Sequence, residues 1–292
     1  MIIYLNGAFV SEDQAVVSVY DHGYLYGIGL FETFRSYGGK AFLLREHLDR
    51  LLQGCRSLGI VYEPDEKEID SIVLRLLEVN HLEDGYFRLS VSAGREELGL
   101  TVKPYESPQI VLYVKPLPPS AARGRPLQLL QLRRNTPEGT VREKSFHYMN
   151  NILAKRELVR YPWAAAASAE GMLLNGDGYL AEGIVSNLFF VKDGVMHTPA
   201  VGTGILPGIT RAYIMKLVSD EGWLCREGYY TWENLWQADE AFFTSSIQEI
   251  VPVTRLFDLD GTVRDLCPDG LPTSYTKRLQ DRYWIGTSKH QV

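Results

Sequence analysis

Apolar residues recur along this chain with two different periods. Near the start, short β-type runs alternate with turn residues: Ile2 to Leu5, the Asn6-Gly7 turn, Ala15 to Val19, and Leu30 to Tyr37 closing at Gly38-Gly39, a pattern that predicts hairpins. Then Leu44, Leu48, Leu51, Leu52, Cys55 and Leu58 recur at spacings of three and four, which predicts an amphipathic helix ending near Gly59. His47, Arg50 and Gly54 share a flank of that helix. A second helical stretch, about Pro64 to Val79, leads to β-type runs at Tyr86 to Ala93 and Ile110 to Val114. Helices and strands are segregated rather than strictly alternating, so the pattern favours an α+β fold over a doubly wound sheet.

The stretch from Lys115 to Pro126 carries four prolines and little that could pack, which marks an interdomain linker. The chain is therefore read as a small N-terminal domain (1–115), a linker (116–126) and a larger C-terminal domain (127–292). In the latter the pattern predicts a strand at Leu127 to Leu132 and a helix from about Tyr148 to Arg160. β-type runs follow at Ala164 to Ser168, Met172 to Leu174 and Leu188 to Lys192, then a helix from Thr210 to Glu221. Strands near Glu240 to Thr244 and Ile250 to Thr254 precede a last helix near Tyr275 to Trp284. No internal repeat or low-complexity tract interrupts this order.

Composition narrows the function classes. With 292 residues the chain can bury a sizeable core. Its 45% hydrophobic and 23% charged residues are ordinary globular values, which excludes general disorder. A net charge of −6 argues against a nucleic-acid partner. Cys55, Cys225 and Cys267 are too few for a disulfide framework and none pairs at a zinc-ligand spacing. The opening residues carry no basic n-region, and no stretch approaches the roughly 20 apolar residues a membrane span needs. The expectation is a cytoplasmic protein with a small-molecule substrate, no membrane association and no metal.

Two familiar phosphate motifs are absent. Gly27-Ile28-Gly29 begins like a dinucleotide fingerprint, but Glu32 stands where the third glycine belongs and the run that follows is β-type. Neither Gly23 to Gly29 nor Gly202 to Gly208 continues into Gly-Lys-Ser/Thr. The six histidines are dispersed, with no His-Glu-x-x-His.

Four other pieces carry candidate chemistry, each with a plainer reading beside it. Lys144 lies in a polar loop running into the predicted helix at Tyr148; it is either a solvated lysine or one whose amine is kept neutral, from an ordinary pKa of about 10.4, for Schiff-base chemistry. Glu182 stands with Gly183 before an apolar run, either a surface acid or a carboxylate that holds a proton on a pyridine nitrogen. Gly204 to Arg211 closes onto a helix, either a helix start capped by Thr210 or a phosphate site made of N–H groups and that hydroxyl. Thr244-Ser245-Ser246 is either a turn or a second wall of such a site.

Together these pieces resemble the fold-type IV pyridoxal 5′-phosphate enzymes, the class-IV aminotransferase family. The group contains branched-chain and D-amino-acid aminotransferases and 4-amino-4-deoxychorismate lyase. The likeness runs from Asp21-His22-Gly23-Tyr24-Leu25-Tyr26-Gly27-Ile28-Gly29-Leu30-Phe31-Glu32-Thr33-Phe34-Arg35 through Glu46-His47-Leu48-Asp49-Arg50-Leu51 to the three later motifs, in the family's order. It implies a D-amino-acid-aminotransferase-like fold with the active site between the domains and the cofactor lysine, Lys144, in the C-terminal one. By the same resemblance Lys144 is the covalent anchor and proton shuttle, Glu182 partners the pyridine nitrogen, and Arg50 binds phosphate. Ile209, Thr210 and Ser246 add phosphate contacts, Leu206 packs on the ring, and the assembly is a homodimer.

Within that group, the run Arg133 to Asn151 and the run Asp21 to Gly29 look like the Bacillus-type 4-amino-4-deoxychorismate lyases of folate biosynthesis, which release pyruvate and 4-aminobenzoate. Thr33 corresponds to a threonine those lyases place near the leaving enolpyruvyl group. Arg88 or Arg95 is a candidate for gripping a substrate carboxylate. Some lyases carry asparagine where Ser245 stands. The alternatives are an aminotransferase acting on D- or branched-chain amino acids with the same Lys144 and Glu182, and a non-catalytic binding protein that retains the fold.

Overall fold

A computed structural model describes residues 1–121, 124–266 and 274–290, without the side chains of residues 289 and 290. Its strands are β1 (Ile2–Leu5), β2 (Ala8–Ser11), β3 (Gly29–Tyr37), β4 (Lys40–Ala41), β5 (Tyr86–Ser92), β6 (Gln109–Lys115), β7 (Arg125–Arg133) and β8 (Glu170–Leu174). They continue with β9 (Leu180–Gly183), β10 (Asn187–Lys192), β11 (Val195–Pro199), β12 (Cys225–Gly228), β13 (Glu240–Ser245), β14 (Glu249–Phe257) and β15 (Val263–Asp265). The helices are α1 (His22–Tyr26), α2 (Leu44–Leu58), α3 (Glu66–Val79), α4 (Met149–Leu158), α5 (Pro162–Ala166), α6 (Ile209–Asp220), α7 (Trp232–Trp236) and α8 (Ser274–His290). Of the residues singled out in the sequence, Cys267 and the linker pair Ala122 and Arg123 lie outside the described ones.

The chain divides into two compact units. Among the described residues, the first comprises those within 1–118, 143–147 and from 287 on, and the second those within 119–142 and 148–286. This differs from a simple cut at the proline-rich stretch, because the short segment bearing Lys144 packs with the N-terminal part. The cause is backbone pairing. Phe31 N–H donates to the Lys144 carbonyl at 2.9 Å, and Phe146 N–H donates to the Gly29 carbonyl at 2.9 Å.

In the first unit, six strands form an antiparallel sheet in the order β2-β1-β6-β5-β3-β4. Asn6 (φ 47°) and Gly7 (φ 91°) turn β1 into β2; two successive positive φ values match the twist of the strands they join. Alternate residues Leu30, Phe34, Leu89, Val91, Leu112 and Val114 enter one buried cluster with Leu48, Leu51 and Cys55 of α2 and Val73 and Leu76 of α3. The intervening residues line the opposite face. α2 ends where Gly59 takes the left-handed conformation, φ 68°, with its N–H satisfying helix carbonyls.

The second unit holds a nine-stranded sheet ordered β12-β11-β10-β13-β14-β7-β8-β9, with β15 paired to β14. The pairs β11–β12, β14–β7 and β7–β8 are parallel and the rest antiparallel. Leu127, Met172, Leu188, Phe190, Phe243 and Val251 anchor its main core, and α4 and α5 cover a smaller cluster around Leu130, Leu158 and Leu173.

Two predicted strands are not strands. Residues 15–19 carry no regular structure and leave Val16, Val17 and Val19 exposed, and the sheet ends at β2, beside β1. Residues 162–166 form α5 with Pro162 in its first turn; proline preset for the first turn and the strong helix propensity of alanine outweigh the β-type reading of 164–168.

Candidate active site

The glycines near the start of the chain explain where Lys144 lies. A Cβ at Gly29 would stand 2.4 Å from Phe146 Cε2, and one at Gly27 would stand 2.6 Å from His147 Cδ2. In α2, a Cβ at Gly54 would meet Glu143 Oε2 at 2.8 Å. The Gly27-Ile28-Gly29 run and Gly54 are thus the bed on which the 143–147 segment rests. Lys144 is half-buried there, its Nζ 4.6 Å from the centre of the Phe31 ring.

Beneath this segment lies a charged cluster inside the helix-facing side of the sheet. Glu32 of β3 is 1% exposed. Its Oε2 accepts from His47 Nδ1 at 2.6 Å and Arg50 Nη2 at 2.7 Å, and its Oε1 accepts from Arg50 Nε at 2.7 Å. Burial pushes the Glu32 carboxyl up, but the Arg50 charge and the His47 hydrogen bond outweigh it and bring the pKa down to about 2. His47 is shifted below its ordinary range, first by burial, with Arg50 and Lys144 acting the same way against the raising effect of Glu32. Glu143 is shifted up by burial, against a hydrogen bond with Ser57 and the Arg50 charge.

On the other face of the sheet the register Thr33↔Arg88↔Tyr113 aligns three polar side chains across β3, β5 and β6. The guanidinium carbon of Arg88 lies 3.5 Å from the Phe31 ring centre, and Arg88 Nε donates to Ser90 Oγ at 3.2 Å. A cavity of about 400 Å³ opens on this face, lined among others by Arg88, Ser90, Ser92, Gln109, Tyr113 and Phe146. Arg95 does not line it; Arg95 is exposed and lies 5.9 Å from the Tyr20 ring. Of the two arginines raised from the sequence, Arg88 is the one at a cavity.

In the second unit Glu182 of β9 is buried, 5% exposed, and fully engaged. Oε1 accepts from Arg134 Nε at 2.8 Å, with Arg142 Nε 3.8 Å away. Oε2 accepts from the Leu206 N–H at 2.9 Å and from Asn187 Nδ2 at 3.5 Å. Arg134 is itself held by Asn150 and Asn151, and Arg142 by the Gly204 carbonyl. Burial, reinforced by Arg134, lowers the Arg142 pKa against the pull of Glu182.

Asn187 ties this acid to the next loop, because its Nδ2 also donates to the Leu206 carbonyl at 2.9 Å. Gly208 follows, where a Cβ would stand 2.0 Å from Asn187 Oδ1. Gly208 is also the N-cap of α6 and, having no side chain, supplies no side-chain cap to the first N–H groups of the helix, the groups a helix leaves without an intrahelical partner. Thr210 is therefore not the cap but lies inside the first turn, its Oγ1 3.2 Å from Ser246 Oγ. Ile209 is the first residue of the helix. Nearby in sequence, Thr244 Oγ1 is buried without a hydrogen-bond partner, as is Ser186 Oγ.

Each unit thus gathers its own part of the predicted set. Lys144, Arg50, Thr33 and Arg88 fall in the first, and Glu182, Leu206, Ile209, Thr210 and Ser246 in the second. The sequence reading missed Glu32, Arg134, Asn187 and Arg142 as members of these clusters. Only Glu32 left a trace, as the polar residue in an otherwise apolar alternation on β3. Among the described residues, no group of three or more His, Cys, Asp or Glu is placed to hold a metal, and no helix is long and apolar enough to cross a membrane.

Comparison with known proteins adds a family. The model described as Amino-transferase class IV matches residues 29–256. A Bacillus subtilis aminodeoxychorismate lyase is 40% identical over 287 residues, 96% of this chain and 95% of its own length. A Methanocaldococcus jannaschii protein provisionally named as a branched-chain amino acid aminotransferase is also 40% identical, over 285 residues, 97% of this chain and 95% of its own. Among solved structures, the T.th. branched-chain amino acid aminotransferase complexed with N-(5′-phosphopyridoxyl)-L-glutamate superposes with a TM-score of 0.83 at 28% identity, covering 99% of this chain and 94% of that one.

Proposed function

The chain belongs to the class IV aminotransferase family of pyridoxal phosphate enzymes, and from that premise we propose that it is a 4-amino-4-deoxychorismate lyase, releasing pyruvate and 4-aminobenzoate for folate biosynthesis. The observation that carries the proposal is the likeness to the B. subtilis lyase along almost the whole of both chains. Thr33 supports it, because its strand partner is Arg88, on the face that bears the cavity.

The residues fit the cofactor. Glu182 is a buried acid already aligned by two donors. The start of α6 is free of a side-chain cap, faced by the Thr210 and Ser246 hydroxyls. The hydroxyl of Thr244 is buried with no protein partner, which is costly unless something else satisfies it. Bound pyridoxal phosphate supplies an aldehyde carbon that takes up an amine and a cationic ring that accepts the electron pair left when a proton departs.

The protein's own work follows from its side chains. The Lys144 amine would anchor the cofactor and, as a free amine, would remove the proton at substrate C4. The Glu182 carboxylate keeps a proton on the pyridine nitrogen. Arg50, the N–H of Ile209 and the hydroxyls of Thr210 and Ser246 hold the phosphate, and Leu206 packs on the ring. Arg88 takes a substrate carboxylate, and Thr33 orients or protonates the departing enolpyruvyl group. The working form is a cytoplasmic homodimer.

A second reading is an aminotransferase using the same Lys144 and Glu182 on D- or branched-chain amino acids, and the name of the M. jannaschii relative, also 40% identical, supports the branched-chain case. Incubation with 4-amino-4-deoxychorismate separates the two. A lyase releases 4-aminobenzoate and pyruvate without any 2-oxo acid. Turnover that requires a 2-oxo acid and an amino acid, with no 4-aminobenzoate formed, establishes the aminotransferase instead.

A further inference from the structure

We propose that Glu32, held in turn by His47, is the positioning residue for Arg50: it fixes the plane of the guanidinium that takes the cofactor phosphate. The inference rests on the reading of Arg50 as a phosphate ligand.

Glu32 occupies a position that the strand pattern assigns to the core. Its neighbours on the same side of β3, Leu30 and Phe34, are both buried in the apolar cluster under α2 and α3. A carboxylate in such a place does little for stability compared with an apolar side chain of similar size. Its geometry, however, is specific. Oε1 and Oε2 each accept from Arg50, through Nε and Nη2, both at 2.7 Å. A two-point fork fixes the rotation of the planar guanidinium about its stem, which a single hydrogen bond would leave free.

His47 completes the device. It stands three residues before Arg50 in α2, so the two side chains leave the same flank of the helix. Its Nδ1 lies 2.6 Å from Glu32 Oε2, which locks the carboxylate that locks the arginine. The pairing also neutralises one positive charge in a region that holds both Arg50 and Lys144, so that Arg50 enters the site as a fixed donor rather than a mobile counter-ion. Two of its five N–H groups are committed to Glu32, and the others are held in the plane this contact sets.

The test uses the full chain after removal of cofactor, titrated by absorbance with pyridoxal phosphate and, separately, with pyridoxal, which lacks the phosphate. Glu32→Gln is expected to weaken pyridoxal phosphate binding by about tenfold or more while pyridoxal affinity stays within about twofold, since only the phosphate end has lost its orienting fork. In an Arg50→Ala background the same substitution should have no further effect on pyridoxal phosphate. His47→Gln should give a smaller loss in the same direction, and it serves if Glu32→Gln fails to fold. Glu32→Asp, which keeps the charge, should recover part of the affinity. If Arg50→Ala weakens pyridoxal phosphate binding and neither Glu32→Gln nor His47→Gln does, the positioning role is wrong and the phosphate assignment stands. If Arg50→Ala itself changes nothing, the assignment has failed. Equal losses for pyridoxal and pyridoxal phosphate in the Glu32 variant would mark a merely structural residue and overturn the proposal.

Discussion

Lys144 is bound to Phe31 at both ends of the residue. Its carbonyl accepts the Phe31 N–H at 2.9 Å, and its Nζ stands 4.6 Å from the centre of the Phe31 ring. The same ring carries the Arg88 guanidinium at 3.5 Å. One aromatic side chain therefore lies against both the amine assigned to the cofactor and the arginine at the cavity. A cation over an aromatic face gains about 0.5 to 2 kcal/mol depending on exposure. Phe31→Leu keeps apolar bulk and loses that face. The expected outcome is a fall of about tenfold or more in kcat/KM, that is about 1.4 kcal/mol, with the melting temperature little changed. Phe31→Tyr should retain most of the activity. Steady-state kinetics on both variants checks this, and an unaffected leucine variant would count against the ring's role.

Gly29 leads to a sharper steric expectation. A methyl group there would overlap the Phe146 ring, 2.4 Å from Cε2, in a place where Phe146 N–H also bonds the Gly29 carbonyl. Gly29→Ala should therefore displace the 143–147 segment at a cost of about 1 to 3 kcal/mol, the usual range for overpacking. Two measurements follow from the displacement: a lower melting temperature, and a smaller yield of borohydride-trapped cofactor on Lys144. A variant that melts and traps like the parent would mean that the segment yields without consequence.

How far the sequence discloses this arrangement depends on the range of the interaction. α2 was legible to the residue at its end, because periodicity and a C-terminal glycine are local signals, and Gly59 takes the predicted role at φ 68°. The strands β3, β5, β6, β7, β10, β13 and β14 stood out by their apolar runs. The short strands β11, β12 and β15 did not, since three to five residues carry too little pattern. Lys144 and Glu182 could be singled out by likeness, yet their surroundings could not. Arg134 meets Glu182 from 48 residues away, and His47 and Arg50 reach Glu32 from another element. In the sequence Gly27 and Gly29 read as a failed dinucleotide motif. Their use is to admit Phe146 and His147, a tertiary reason that no local rule contains.

Acid should expose the Glu32 cluster. The folded carboxyl sits at about 2, below its ordinary value near 4.5, so the folded state binds fewer protons than the unfolded one between those values. The stabilisation is fully present above about 4.5 and is lost as pH falls through that window toward 2. Urea midpoints measured between pH 6 and pH 3 should fall in the parent protein. In Glu32→Gln the slope over this interval should be shallower, because the group that takes up the proton is gone. Parallel pH dependences in the two proteins would show that Glu32 does not titrate in this way.

Glu182→Gln separates the charge of that acid from its shape. The amide is nearly isosteric, and its oxygen can still accept from Arg134, as Oε1 does at 2.8 Å. The other end then presents an NH2 group to the Leu206 N–H, which now donates to Oε2 at 2.9 Å. Two donors facing each other leave one unsatisfied, at about 1 to 3 kcal/mol, so a modest loss of stability is expected. Cofactor should still bind, since the phosphate contacts proposed for Thr210 and Ser246, whose hydroxyls lie 3.2 Å apart, do not involve Glu182. What the variant lacks is the negative charge proposed to hold a proton on the pyridine nitrogen, and kcat should fall by about a hundredfold or more. Absorbance of the bound cofactor and steady-state turnover, taken on the same preparation, distinguish the effects. Full occupancy with slow turnover is the expected pair, whereas full occupancy with unchanged kcat would remove Glu182 from the chemistry and leave it as a strut between Arg134 and the Leu206 loop.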